Sequence, residues 1–260
     1  MAFWRSFFKI LISILLVFTL TTSVFLLSFY QLTSQNVLKP AVSSYIEEQV
    51  TQGVLSADSQ DILDLKAEII QNCSGKSELT IKFGEYNPNS TIDLSELTIN
   101  CSGVSPETNT TKMIQIVSEG VFNQVYYQTY DCNPVDCIIN SQKNPENMAS
   151  IISKQTNDFF LLMFLISLLI SAILIVAIVL ISKPKFTCFY DFSFAFLTSG
   201  IMFLIKFIAM PIIQGIEIEE PVLKILTFFL NSLFVNFLIV FVLGFIFLVL
   251  GIIFRSKYKV

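Results

Sequence analysis

Cysteine, carboxylate and lysine side chains are the groups in this 260-residue chain that could do chemistry, because the sequence has no histidine. The lack of histidine excludes Ser-His-Asp and Cys-His catalytic arrangements, imidazole metal ligands and the ordinary acid–base residue near neutral pH. An enzyme would then need clustered carboxylates or lysines, and the sequence shows no such cluster. We therefore expect no enzymatic activity and no cofactor.

Four of the five cysteines fall within one stretch: Cys73, Cys101, Cys132 and Cys137. An even number of cysteines in an oxidising location predicts two disulfides. Three pairings are possible, and we favour Cys73–Cys101 with Cys132–Cys137 because short loops close most readily. The alternative is a metal site, but no CxxC pair supports it and we expect no metal. The fifth cysteine, Cys188, is expected to be a buried or lipid-facing thiol, with palmitoylation as the alternative.

Four polar residues stand out because they interrupt long apolar stretches: Asp191, Lys206, Asn231 and Asn236. Ionisable groups inside a bilayer are costly, which makes them candidates for function. At helical spacing, a narrow stripe of small and polar residues is predicted to face protein; it comprises Asp191, Ala195, Ser199, Met202, Lys206 and Ala209. A second such stripe comprises Ser232, Asn236, Val240 and Gly244, with Gly251 further on.

These polar residues have two interpretations, helix packing and a lined pathway for an ion or solute. Packing is favoured, because polar contacts between membrane helices are common and the chain has no internal repeat. We expect Lys206 to be a neighbour of Asn231, and Asp191 to reach water or the lysines of the link at Lys183 and Lys185.

Composition indicates a membrane protein, since 53% of the residues are hydrophobic and only 14% are charged. Four apolar stretches are long enough to cross a hydrocarbon core about 30 Å thick. The first begins with a basic segment like that of a signal peptide, but its apolar run is too long and we expect it to be retained. The predicted segments are residues 1–31 (cytoplasmic N-terminus and first span), 32–158 (extracytoplasmic domain), 159–182, 186–213 and 224–254 (further spans), 214–223 (outer loop) and 255–260 (cytoplasmic tail).

Seven basic residues cluster beside the spans on one side, which predicts that both termini are cytoplasmic. They are Arg5, Lys9, Lys183, Lys185, Arg255, Lys257 and Lys259. Residues 31–158 instead carry seven lysines and no arginine against sixteen Asp and Glu residues, a net charge of −9. The fold class predicted is therefore a four-helix membrane bundle with the acidic, cysteine-bearing domain inserted between the first two spans, at the cell membrane.

The outer domain is expected to be α+β and mostly helical. Apolar spacing predicts helices over Val37–Val50, with Pro40 in the first turn, and from Asp58 to about Cys73. Alternation predicts strands over Leu79–Phe83 and Leu94–Ile99, while Met113–Tyr130 fits helix or strand. A helix capped at Asn144 is expected to run unbroken through Ser150 and Gln155 into the second span. Four sequons are glycosylation candidates, at Asn72, Asn89, Asn100 and Asn109.

The proportions of the chain favour a non-enzymatic membrane protein whose outer domain binds a partner, as an adaptor, auxiliary subunit or surface interaction protein. The expected partners are the lipid bilayer and another membrane or extracellular protein, or a second copy of the chain. No basic patch suggests nucleic acid. One alternative is an oligomeric pore or transporter subunit lined by Lys206, Asn231 and Asn236. Another is an extracellular ligand sensor that signals through a partner.

Overall fold

A computed structural model describes residues 2–44, 59–82, 96–130, 132, 134–140, 150–215 and 220–257. The chain divides into two compact units, one made of Met1–Leu32 with Asp158–Val260 and the other of Thr33–Asn157. We call them the helical unit and the inserted unit. In chain order the elements are α1 (Ala2–Leu32), α2 (residues 35–44), α3 (Ser59–Cys73), β1 (Glu78–Lys82), β2 (Glu96–Asn100), α4 (Thr110–Tyr127), α5 (Pro134–Asn140), α6 (Lys154–Ile181), α7 (Thr187–Gly200), α8 (Ile205–Gln214) and α9 (Glu220–Lys257).

Four segments of the described chain are helical, long and apolar enough to cross a membrane, as the sequence predicts. They are Ser6–Leu32, Lys154–Ile181, Thr187–Gln214 and Val222–Lys257. The shortest has 27 residues and the longest 36. At 1.5 Å per residue, each exceeds a hydrocarbon core of about 30 Å. The chain is therefore compatible with a multi-pass membrane protein.

The third of these spans is not one continuous α-helix, because a 3-10 turn at Ile201–Leu204 separates α7 from α8. A 3-10 turn rotates about 120° per residue instead of 100°, so four residues move the following face by about 80°. Ala195 and Ser199 before the turn are fully buried, whereas Met202 within it is 40% exposed. The predicted stripe is therefore interrupted at Met202. Beyond the turn, Lys206 and Ala209 are half-buried, and Ala209 packs against the core cluster that includes Leu233 and Phe237 of α9.

The stripe predicted on α9 lies against protein, as expected: Asn236, Gly244 and Gly251 are buried. Gly244 lets α9 approach α7 closely, since a Cβ placed there would lie 2.7 Å from the main-chain N of Leu197. Gly200 of α7 does the same in return, because its Cβ would lie 2.5 Å from the main-chain N of Phe241. Small residues allow such backbone approach between membrane helices.

The inserted unit is built on an antiparallel pair of strands, in which Glu78 of β1 pairs with Asn100 of β2. Helix α4 packs on β2 at Gly120, where a Cβ would lie 2.9 Å from the side chain of Ile99. The core beneath comprises Ile69, Cys73, Leu79, Leu97, Ile99, Cys101 and Met113. The structure thus has the expected α3 helix and both expected strands, and it places Met113–Tyr127 in a helix.

The first and last residues of the inserted unit lie side by side. The side-chain amide of Asn157 donates to the Thr33 hydroxyl at 3.0 Å. The Tyr126 hydroxyl donates to the Thr33 carbonyl at 3.3 Å. Tyr126 also belongs to a second small core, with Leu38 of α2 and Phe122 of α4. The two ends of the unit are therefore bonded directly to each other, and α4 bonds the first of them.

Two details of the inserted unit correct the predictions. Helix α2 begins at residue 35 rather than 37, so that Pro40 lies beyond the first turn; residues 45–50 are outside the described part. The helix expected to run unbroken into the second span is interrupted before Lys154. The Ser150 carbonyl accepts from the hydroxyls of Ser153 (2.6 Å) and Thr156 (2.7 Å). Such local side-chain bonds compete with helical ones. The cap predicted at Asn144 lies outside the described residues.

Candidate functional site

Among the described residues of the helical unit, the amide of Asn236 on α9 has hydrogen-bond partners on a neighbouring helix. Its Nδ2 donates to the Ser28 hydroxyl at 2.9 Å and to Gln31 Oε1 at 3.1 Å, both on α1. It also lies 3.4 Å from the hydroxyl of Ser232, which in turn donates to Gln31. Because Asn236 is only 9% exposed, this cluster lies inside the helix contact. The arrangement favours packing over a lumen lined by Asn236.

Asn231 provides an internal comparison for Asn236, because it has the same side chain on the same helix but is exposed. We expect Asn236→Leu to lower stability by about 1 kcal/mol, since a hydrogen bond between membrane helices contributes about 0.6–2 kcal/mol. Asn231→Leu should change stability little. Thermal unfolding of the two variants in the same detergent measures the difference. Equal melting temperatures would show that the Asn236 cluster does not hold α1 against α9.

Hydroxyl groups of α1 make further contacts between helices that the sequence analysis did not predict. The Thr21 hydroxyl lies 3.0 Å from that of Ser199 on α7. The Ser23 hydroxyl lies 2.8 Å from that of Ser167 on α6. Together with Ser28, these residues join α1 to each of the other spans. The feature of the sequence that indicates these contacts is the hydroxyl-rich segment Thr19–Ser23. It is easily overlooked because the whole stretch is uncharged. These contacts hold α1 against the other three spans.

Lys206 and Asn231 are predicted to be neighbours, and in the described part of the chain they make no hydrogen bond with each other. The Lys206 ammonium lies 4.8 Å from the ring centroid of Phe234, one helical turn after Asn231. A cation over an aromatic face is stabilised by the ring quadrupole. Lys206 is half-buried in this position, whereas Asn231 is exposed. The two residues therefore share a region of the α8–α9 contact without forming a common polar site.

Asp191 forms an ion pair with Lys9 of α1, at 2.7 Å between Nζ and Oδ2. The Lys9 ammonium also donates to the hydroxyl of Thr187, at 3.3 Å. Asp191 is predicted to reach water or the lysines at positions 183 and 185. The structure pairs it with Lys9 instead of those lysines and leaves its side chain 20% exposed. Both Lys9 and Asp191 stand near the beginning of their spans, and the ion pair brings those two ends together.

The cysteines of the inserted unit lie at disulfide distance in the pairing that the sequence favours. The Cα atoms are 5.4 Å apart for Cys73 and Cys101 and 5.8 Å apart for Cys132 and Cys137. The first pair is buried in the core of the unit. Cys188 of α7 is a free, buried thiol. Within the described residues, no group of three Cys, Asp or Glu residues converges as metal ligands would.

Three of the four sequon asparagines lie in the described part, and all three are exposed: Asn72, Asn100 and Asn109. Asn109 caps α4, with its Oδ1 accepting from the Lys112 amide at 2.8 Å. Asn100 accepts similarly from the Ser102 amide at 2.8 Å. Exposure leaves these sequons available as acceptors, and their use stays a prediction. Asn89 lies outside the described residues.

Tyr127 is the most exposed large apolar or aromatic side chain in the described part of the inserted unit, at 54%. Its hydroxyl donates to Gln35 Oε1 at 3.0 Å, and Gln35 itself donates to Asn123 Oδ1 at 3.2 Å. The ring lies edge-on to Tyr126, with 5.2 Å between centroids. The Lys154 ammonium is 5.7 Å from the centre of the Tyr127 ring. We call Tyr127, Gln35 and Lys154 the Tyr127 surface.

The Tyr127 ring is exposed and yet held in place, a combination typical of interface residues. Aromatic side chains contribute most strongly to protein–protein binding because they bury a large area at low entropic cost. Tyr130, three residues later, faces inward instead. Its hydroxyl donates to the Val125 carbonyl at 3.1 Å, and burial raises the pKa of its phenol. The Tyr127 surface is therefore the best candidate for contact with another molecule in the described part of this unit.

Comparisons of the chain with protein-family models, curated proteins and solved structures found no match.

Proposed function

We propose that this chain is a multi-pass membrane protein whose extracytoplasmic domain binds a protein partner, as an adaptor or auxiliary subunit, and that it is not an enzyme. In this proposal both termini are cytoplasmic and residues 31–158 lie outside. The observation that supports it is the use of the buried Asn236 amide by Ser28 and Gln31. Because Asn236 bonds to Ser28 and Gln31 inside the helical unit, these three polar groups serve as a scaffold between α1 and α9.

The sidedness rests on the positions of the basic residues and on the acidic charge of the inserted unit. The cysteines at disulfide distance are consistent with an oxidising compartment. The exposed sequons at Asn72, Asn100 and Asn109 provide a test of this location. Mass shifts on glycosidase treatment, removed by Asn109→Gln, would place Asn109 on the lumenal or extracellular side.

Partner binding should depend on the Tyr127 ring. We expect a chain that co-purifies at a constant ratio in mild detergent to be reduced at least tenfold by Tyr127→Ala, since a central interface residue contributes about 2 kcal/mol or more. Tyr127→Phe should retain most binding because it keeps the ring. Glu107→Ala changes an exposed side chain of the same unit and serves as the control. The measurement is the ratio of the two chains after purification of the intact protein.

Two results would contradict this proposal. One is a constant partner ratio in Tyr127→Ala, which would remove the Tyr127 surface from the interface. The other is purification as a ring of identical chains whose conductance in a planar bilayer changes with Lys206→Ala. That second result would favour the pore, in which Lys206 and Asn231 rather than Asn236 face the path.

A further inference from the structure

A second site lies in the helical unit, in a cavity of about 440 Å³ beside the Lys9–Asp191 ion pair. Its polar lining includes Lys9, Ser13 and Asp191, and its apolar walls are formed by Ile10, Ile14 and Phe194. The three wall residues are exposed on the outside of the unit, by 44–61%. A charged floor with apolar walls that open outward matches an amphiphilic ligand.

Ser13 gives independent evidence that the cavity holds something. The residue is only 7% exposed, and its hydroxyl has no hydrogen-bond partner among the described residues. A buried polar group without a partner costs about 1–3 kcal/mol, so such groups are rare in folded proteins. Because Ser13 lines the cavity, a ligand there would supply the missing bond.

The remaining hydrogen-bonding capacity of the ion pair defines the chemistry of that ligand. Lys9 directs its ammonium at Asp191 Oδ2 and the Thr187 hydroxyl, which leaves one N–H free. Asp191 Oδ2 lies 2.7 Å from the Lys9 ammonium, and no described residue forms a hydrogen bond to this buried oxygen. The site therefore offers two donors, Lys9 and Ser13, next to one anionic acceptor. A ligand with an anionic acceptor and a cationic donor a few atoms apart is complementary to it.

The depth of the cavity points to a lipid headgroup. Lys9 is the fourth residue of its candidate span and Asp191 the fifth. Trp4, Phe7 and Phe8 precede the cavity on α1 with their rings exposed by 49–63%. Trp is enriched at the membrane–water interface, which places this end of the unit at headgroup level.

We propose that this cavity binds a phospholipid with a primary ammonium headgroup, of the phosphatidylethanolamine class. The phosphate accepts from Lys9 and Ser13, the ammonium donates to Asp191, and the acyl chains follow Ile10, Ile14 and Phe194. Since the ion pair is neutral overall, the site favours a zwitterionic headgroup over an anionic one. This proposal requires only that the four apolar helices cross a bilayer and is independent of the partner-binding function.

The test is a lipid titration of the intact protein in detergent, followed by native mass spectrometry. Phosphatidylethanolamine, its N-methyl and N,N-dimethyl derivatives, phosphatidylcholine and phosphatidylglycerol are compared with identical acyl chains. The first three keep at least one N–H on the headgroup, and phosphatidylcholine keeps none. We expect affinity to fall about tenfold between the dimethyl lipid and phosphatidylcholine, since a hydrogen bond to a charged group is lost at that step. Phosphatidylglycerol should bind no better than phosphatidylcholine.

Variants of the lining residues test whether the preference for phosphatidylethanolamine arises in this cavity. Asp191→Asn should bring the ratio of phosphatidylethanolamine to phosphatidylcholine binding close to one. Ser13→Ala should weaken both lipids severalfold and keep their ratio; it removes no described hydrogen bond, so it tests the site even where Asp191→Asn does not fold. Ser171→Ala, which removes a buried hydroxyl bonded to the Ser167 carbonyl on α6, is the control and should change neither affinity.

Three results would overturn the proposal. The first is no drop between the dimethyl lipid and phosphatidylcholine. The second is tighter binding of phosphatidylglycerol, which would make this an anionic-lipid site. The third is unchanged lipid affinity in Ser13→Ala, which would place any binding elsewhere on the protein.

Discussion

Replacing Gly200 by alanine should destabilise the helical unit by about 2 kcal/mol or more, because overpacking a close contact typically costs about 1–3 kcal/mol. The added Cβ would lie 2.5 Å from the main-chain N and Cα of Phe241. Main-chain atoms cannot rotate away as a side chain can, so α7 and α9 must separate. The backbone at Gly200 is ordinary right-handed helix, with φ −65° and ψ −28°. The loss therefore comes from space alone.

Gly215→Ala is the matched control for Gly200→Ala. A Cβ at Gly215 would lie 3.5 Å from its nearest neighbours, which is ordinary contact. Thermal unfolding in detergent should show a lower melting temperature for Gly200→Ala and little change for Gly215→Ala. Separation of the helices should also raise the rate at which the buried Cys188 thiol is alkylated. If both alanine variants melt together with the unchanged protein, α7 and α9 do not approach as closely as described.

Removing the Cys73–Cys101 pair should destabilise the inserted unit more than removing the Cys132–Cys137 pair. Cys73 and Cys101 are 28 positions apart and the Cys132–Cys137 pair only 5. In the chain-entropy description, closing loops of these lengths stabilises the folded state by about 3.5 and about 2 kcal/mol respectively. Cys73 and Cys101 also lie in the core with Ile69 and Leu79. Replacing both by serine would therefore put polar groups into that core as well.

Limited proteolysis of the intact protein measures this difference. Cleavage between residues 33 and 157 should be much faster in the Cys73→Ser/Cys101→Ser variant than in the Cys132→Ser/Cys137→Ser variant. Alkylation of the unfolded, unreduced protein should modify only Cys188, and reduction should expose all five thiols. Five reactive thiols before reduction would show that neither pair is oxidised and would also count against an extracytoplasmic location.

The four apolar helices were predictable because their signal is the composition of each stretch. Lys154–Ile181 and Val222–Lys257 each contain a long apolar run, and that composition does not depend on which helices surround them. The buried face of α9 was also predictable, because the helix is continuous and its 100° step holds throughout. The third span departs from this regular spacing at Ile201–Leu204, where the step changes and Met202 is exposed.

Most contacts between helices could not be predicted from the sequence. Proximity in sequence favours Lys183 and Lys185 as partners of Asp191, whereas Lys9, its partner in the structure, lies 182 positions away. A single sequence gives no distance between such residues. A signal existed, since each is a lone charge at the same end of its span. The hydroxyls at Thr21 and Ser23 were overlooked because threonine and serine scarcely lower the hydropathy of a long apolar run.

The inserted unit was predicted in part. Alternating residues identified both strands, and the cysteine spacing favoured the pairing that is found. The interruption before α6 was missed, although Ser153 and Thr156 have the spacing of a helix cap and the Thr156 amide does donate to Ser153 Oγ, at 3.3 Å. The apolar spacing of the sequence predicts a continuous helix here. In the structure, the side-chain hydrogen bonds of Ser153 and Thr156 interrupt it before Lys154.

The bond between Thr33 and Asn157 has an evolutionary consequence. A domain whose first and last residues lie close together can be inserted into a tight turn of another protein without distorting it, and such insertions are well tolerated. The 125 residues from Thr33 to Asn157 meet that geometric requirement. Evolution could therefore insert, delete or exchange this unit while the sequence of the surrounding helices stays unchanged.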